Sequence, residues 1–156
     1  MRRLILLLAA FAAGPALGQG RIAEADVRAF VARQERAWNA GDFGAYFKAF
    51  TSDARFTDQA YVGDKPPVPY GTSTLDQARA QADRTRGRSR EASEVTRVEI
   101  AADGRSARVT ARVGSAVTTG GKVRRLCASR VQTLVLANGV LRSRGQTDTY
   151  VRCRAR

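Results

Sequence analysis

From Glu24 to Asn39 apolar residues return at three- and four-residue steps. Val27, Phe30, Val31, Ala37 and Trp38 fall on one face, Gln34 is the polar member of that stripe, and Arg28, Arg33, Glu35 and Arg36 fall mostly opposite. This spacing predicts an amphipathic helix. Asn39-Ala40-Gly41 stops it, with Gly41 suited to a left-handed cap. Asp42 can cap a second, short helix carrying Phe43, Tyr46, Phe47 and Phe50. Thr51-Ser52-Asp53 turns the chain, and residues 54–58 read as a short strand. Residues 59–72 then read as a long loop around Pro66-Pro67-Val68-Pro69, flanked by Tyr61 and Tyr70. Ser73-Thr74-Leu75-Asp76 resembles a capping box and predicts a third helix to about Thr85.

Beyond this helix the period drops to two. Thr96, Val98 and Ile100 alternate with polar neighbours, as do Ala107, Val109, Ala111, Val113 and Val117. Long strands are predicted over 123–136 and 140–152. The turn signals Asp103-Gly104, Gly120-Gly121 and Asn138-Gly139 join four such segments into an antiparallel meander. Helices first and strands afterwards give an α+β class. Three helices laid across a strongly curved antiparallel sheet form a cone, and its open end suits a pocket.

The N-terminus follows a different logic. Arg2 and Arg3 precede an apolar run from Leu4 to Ala13, Gly14-Pro15 breaks it, and Ala16-Leu17-Gly18 offers small residues for cleavage. Residues 1–18 therefore read as a secretory signal and 19–156 as one exported domain, periplasmic or secreted. Cys127 and Cys153 fit an oxidising compartment. A three-residue turn at Asn138-Gly139 would place them four residues apart on neighbouring strands, about 13 Å. A disulfide then requires a bulge, for which Gly145 is the candidate, or a C-terminal end that folds back.

Composition narrows the chemistry. The chain has no histidine, so histidine-dependent triads and proton shuttles are excluded, and two cysteines cannot close a zinc site. No cofactor or metal is implied. Lys+Arg is 27 against Asp+Glu 14, a formal net charge of +13. Arg79 to Arg90 and Arg142 to Arg156 are arginine-rich, but aromatic residues do not alternate with the arginines and no nucleic-acid motif is present. The favoured reading is a solvated basic surface. Weak contact with an anionic surface is the remainder, and no nucleic-acid partner is expected.

Two stretches carry a resemblance. Trp38-Asn39-Ala40-Gly41-Asp42-Phe43 and Phe50-Thr51-Ser52-Asp53-Ala54-Arg55-Phe56-Thr57-Asp58 resemble the N-terminal signature of the NTF2-like superfamily, which includes SnoaL-like cyclases and ketosteroid isomerases. The resemblance implies a cone-shaped fold with a pocket, and fold alone does not fix a reaction. In the isomerase branch the general base falls on Asp58. The branch's two oxyanion donors fall on Gln34 and Gln132, where amides stand instead of a phenol and a carboxylic acid. Such a loss elsewhere lowers rates by roughly 10²–10³.

Each candidate has a plainer alternative. Asp58 is either a base in an apolar pocket or a strand-end carboxylate paired with an arginine. Gln34 needs a hydrogen-bond partner, supplied by a ligand, a water or the sheet backbone. Tyr61 and Tyr70 either close over the pocket or lie on its surface. The resulting expectation is a non-catalytic binding or accessory protein for an apolar or amphipathic small molecule. The alternative is a lyase, cyclase or isomerase using Asp58 as base, with Gln34 orienting a carbonyl. A third reading is subunit assembly, since the sheets of this fold commonly form homodimers.

Overall fold

The structure is a computed structural model that describes residues 20–153; the expected export signal lies outside them. Helix α1 is Glu24–Asn39, as its periodicity requires, and it buries Val27, Phe30, Val31 and Gln34. It ends in a pair of backbone bonds, Asp42 N to Ala37 O and Gly41 N to Trp38 O, both 2.9 Å. That closure needs a left-handed residue, and Gly41 supplies it at φ 69°. Asp42 then accepts from the Ala45 backbone N–H at 2.9 Å and starts helix α2, Phe43–Lys48. Two successive caps thus fix the direction in which Phe43, Tyr46 and Phe47 enter the core.

Strand β1 is Phe50–Ala60 and pairs with strand β2, Val68–Thr74. The long loop expected over 59–72 is therefore corrected to a short connection after Ala60. The prolines concealed the strand, because Pro69 sits on an edge strand, where a missing N–H is tolerated. Helix α3, Leu75–Arg84, starts one residue later than expected: Thr74 Oγ1 accepts from Gln77 N at 3.3 Å and Gln77 Oε1 from Thr74 N at 2.9 Å. Strands β3 (Ser89–Ile100), β4 (Ser106–Thr119), β5 (Lys122–Ala137) and β6 (Val140–Val151) form the expected meander.

The six strands make one sheet in the order β2-β1-β6-β5-β4-β3. Every junction is antiparallel except β1–β6, which is parallel. Two apolar clusters lie on its helix side. One joins α1 to the sheet through Ile22, Val27, Phe30, Val109, Leu134 and Leu141. The other gathers Phe43, Tyr46, Phe47, Phe50, Ala54 and Ala82 around α2, α3 and β1.

The register of β5 on β6 differs from the expected one in two ways. Ala137 pairs with Val140, so the turn is two residues, Asn138-Gly139. The pairing also shifts between Gln132 and Leu134, opposite Gly145. This bulge carries Cys153 toward Cys127, and the two are bonded with Cα atoms 5.2 Å apart. Closing a chain segment of 26 residues restrains the unfolded state, an effect worth about 2–4 kcal/mol.

Gly145 has a second role. A Cβ there would lie 2.3 Å from the Arg55 backbone oxygen, across the parallel β1–β6 junction. Backbone cannot swing away as a side-chain tip can. Gly145→Ala is expected to lower stability by about 1–3 kcal/mol, read as a fall in Tm. An unchanged Tm would show that β1 and β6 separate freely at this point.

Candidate functional site

The site is a transverse row on the sheet's helix-facing side. Register places Gly71 of β2 beside Asp58 of β1, Asp58 beside Asp148 of β6, and Asp148 beside Arg130 of β5. Alternation turns all three charged side chains the same way. Glu91 enters from β3, held at its backbone by Asn39: Glu91 N donates to Asn39 Oδ1, and Asn39 Nδ2 donates to Glu91 O, each at 2.8 Å.

Arg130 is clamped. Its Nε and one terminal nitrogen donate to both oxygens of Asp148 at 2.8 and 2.9 Å. Its other terminal nitrogen donates to Glu91 at 2.9 Å. The side chains of Arg130, Glu91 and Asp148 are 12%, 10% and 10% exposed, so this ion triad is desolvated. Burial pushes the guanidinium pKa down, but Glu91 and Asp148 outweigh it and hold it above its ordinary value. Gln146 extends the network, donating to Asp148 at 2.9 Å and accepting from Gln132 at 3.2 Å. The Tyr46 hydroxyl sits over Gln146 at 3.4 Å, and burial raises its pKa well above the usual tyrosine value.

A cavity of about 240 Å³ opens beside this network. Trp38, Tyr46, Phe47, Phe56 and Tyr150 wall it, Ala78 and Ala82 of α3 cover it, and Asp58, Glu91, Asp148 and Arg130 supply its charge. The Trp38 indole N–H is buried and has no partner among the described residues. Trp38 also packs against Phe43 and Tyr46, with ring centroids 5.0 and 5.1 Å away, so it is both core and wall.

Asp58 is half-buried on the cavity wall. Burial, then the charge of Asp148, raises its carboxyl above the usual range, while Tyr150 and Arg130 draw it back. Among the described residues no arginine forms a salt bridge with it. Gln34 and Gln132 lie elsewhere: with Val31, Val109 and Ala111 they line a void of about 10 Å³, large enough for a single water. Tyr46, Glu91 and Arg130 border both spaces and divide them. Gln34 Nε2 is buried there without a partner. The expected grouping of Asp58 with Gln34 and Gln132 is thus corrected, because the Arg130 triad stands between them. Tyr61 is 57% exposed and borders none of the cavities described. Tyr70 is 66% exposed, with its ring 6.3 Å from that of Tyr150 at the cavity's edge.

Sequence reasoning missed Glu91, Arg130, Asp148 and Tyr150. One signal was present: Arg130 is in phase with Ala128, Gln132 and Leu134, the inward positions of β5. No cluster of metal-ligating side chains occurs among the described residues. No helix among them is long and apolar enough to cross a membrane.

Arg130→Met would leave two buried carboxylates unpaired and is expected to cost about 3–5 kcal/mol in chemical denaturation. A loss below about 1 kcal/mol would mean that the triad is hydrated. For Asp58 the sign is opposite. A carboxyl whose folded pKa is raised weakens the fold as pH climbs from its ordinary value through the raised one. Asp58→Asn is expected to remove that decline and to hold or slightly raise Tm at neutral pH; a drop of many degrees would make Asp58 a structural ion.

No protein-family model and no curated protein matches the chain. Solved structures do. Aln2 from a Streptomyces species is 26% identical, with a TM-score of 0.59 over 81% of this chain and 89% of that one. A ketosteroid isomerase-like protein from Erwinia carotovora atroseptica is 14% identical, with a TM-score of 0.61 over 83% and 96%. The beta subunit of a putative aromatic-ring-hydroxylating dioxygenase from Novosphingobium aromaticivorans is 16% identical, with a TM-score of 0.64 over 84% and 90%.

Proposed function

On the NTF2-like fold that this chain adopts, we propose that the protein is an exported, non-catalytic binding protein that holds an amphipathic small molecule in the cavity beneath α3. The observation that carries this reading is the cavity itself: about 240 Å³, aromatic on its walls and polar at one end. A filled interior would have removed the case for a ligand. Export is supported by the N-terminal sequence and by the Cys127–Cys153 bond, which an oxidising compartment preserves.

Proton transfer by Asp58 is the second reading. Its raised proton affinity and its place on the cavity wall favour it. Gln34 stands in a different space, so the carbonyl-orienting group that this reading relied on is missing from the cavity. Binding is therefore the better supported of the two. The outer face of the sheet presents exposed Arg55, Arg108 and Arg144 among threonines. That is a charged face, so assembly through it has less support than ligand binding.

Trp38 is the sole tryptophan and lines the cavity, which makes its fluorescence a local reporter. Titration with 4-phenylbutan-1-ol is expected to change that fluorescence saturably. Ala78→Phe, which fills the cavity from α3, is expected to weaken the response at least about tenfold without lowering Tm by more than a few degrees. A saturable response that Ala78→Phe leaves intact would place binding elsewhere, and no response would remove the reading.

A further inference from the structure

We infer that the ligand of this cavity is a cationic amphiphile: an apolar body carrying a protonated amine or a quaternary ammonium that docks against Asp58. The inference rests on the binding reading above and adds the charge of the ligand.

Charge inside the cavity does not balance. Three carboxylates, Asp58, Glu91 and Asp148, share the lining with a single cation, Arg130. That cation is spent. Its donors are directed to Asp148 and Glu91, so no guanidinium edge remains to receive an anionic ligand. Asp58 has no cation bonded to it among the described residues and stands beside Asp148 in the row. Two carboxylates on neighbouring strands with one shared cation leave a surplus of negative charge. A ligand cation would relieve it at Asp58. The contrast with the chain as a whole, formally +13, is sharp: the cavity is a negative site in a positive protein.

Five aromatic residues, Trp38, Tyr46, Phe47, Phe56 and Tyr150, line the cavity, and aromatic rings attract ammonium groups. The same aromatic cluster already seats guanidinium groups on its outer side, Arg86 at 4.6 Å over Phe43 and Arg79 at 5.7 Å over Phe47. Beside Asp58, β2 contributes Gly71, which has no side chain; a Cβ there would already touch the Asp58 carboxyl, 3.7 Å from Oδ2, so the glycine leaves that position beside the carboxylate free.

Three probes of matched length separate the outcomes: 4-phenylbutylamine, 4-phenylbutan-1-ol and 4-phenylbutyrate, each titrated into the protein and read by Trp38 fluorescence. The amine is expected to bind roughly tenfold tighter than the alcohol, and the carboxylate more weakly than either. Asp58→Asn is expected to abolish the amine's roughly tenfold advantage over the alcohol, with the variant's Tm confirming that it is folded. Equal affinity for amine and alcohol, tightest binding of the carboxylate, or an amine preference that survives Asp58→Asn would each overturn the charge assignment and leave the binding reading intact. Failure of all three probes to bind would overturn both.

Discussion

Burying a guanidinium is costly, and this fold is arranged around meeting that cost at Arg130. Asp148 takes the charge from the neighbouring strand, and Glu91 takes it diagonally from β3. The clamp explains the division of the interior. On one side, α1 packs on β4, β5 and β6 through aliphatic residues and the single aromatic Phe30; on the other, α2 and α3 pack on β1 around Phe43, Tyr46, Phe47 and Phe50. A continuous apolar core would have filled the space between them. The polar network fixes Tyr46 and Gln146 instead, and an aromatic-walled cavity remains beside it.

The clamp depends in turn on strand register. Arg130 meets Asp148 only because the β5–β6 turn is two residues long and the pairing shifts opposite Gly145. Without both features Arg130 would face Gln146, and Asp148 would face Ala128 instead of the guanidinium. Gly145 permits the shift because its missing side chain lets β1 approach β6 at Arg55. The same displacement brings Cys153 to Cys127, which ties down the strand ends that bear Tyr150 and Leu126 at the cavity. Bulge, disulfide and ion triad are one geometric solution.

Much of this architecture was legible in the chain. The stripe from Val27 to Trp38, the Gly41 stop, the Asp42 cap and three glycine turns specified α1, α2 and the meander, because caps and turns are local chemistry. Other features were hidden for equally physical reasons. The prolines around Val68 disguised β2, since an edge strand tolerates what a central strand does not. The parallel β1–β6 junction joins segments far apart in sequence, and no local pattern marks it.

The candidate site divides along the same line. Asp58 was singled out in the sequence because it stands in the stretch that carries the family resemblance, whereas Trp38 read as core. The sequence also placed Gln34 inside the fold, since a 3.6-residue period fixes which helix face is buried. It did not say what Gln34 would face. That depended on which strands lie under α1 and in what register, since Gln34 meets Val109 and Ala111 of β4 and Gln132 of β5. Sequence determined which residues point inward; only the paired strands decided that Arg130 would stand between Gln34 and Asp58, and that the remaining carboxylate would line a cavity.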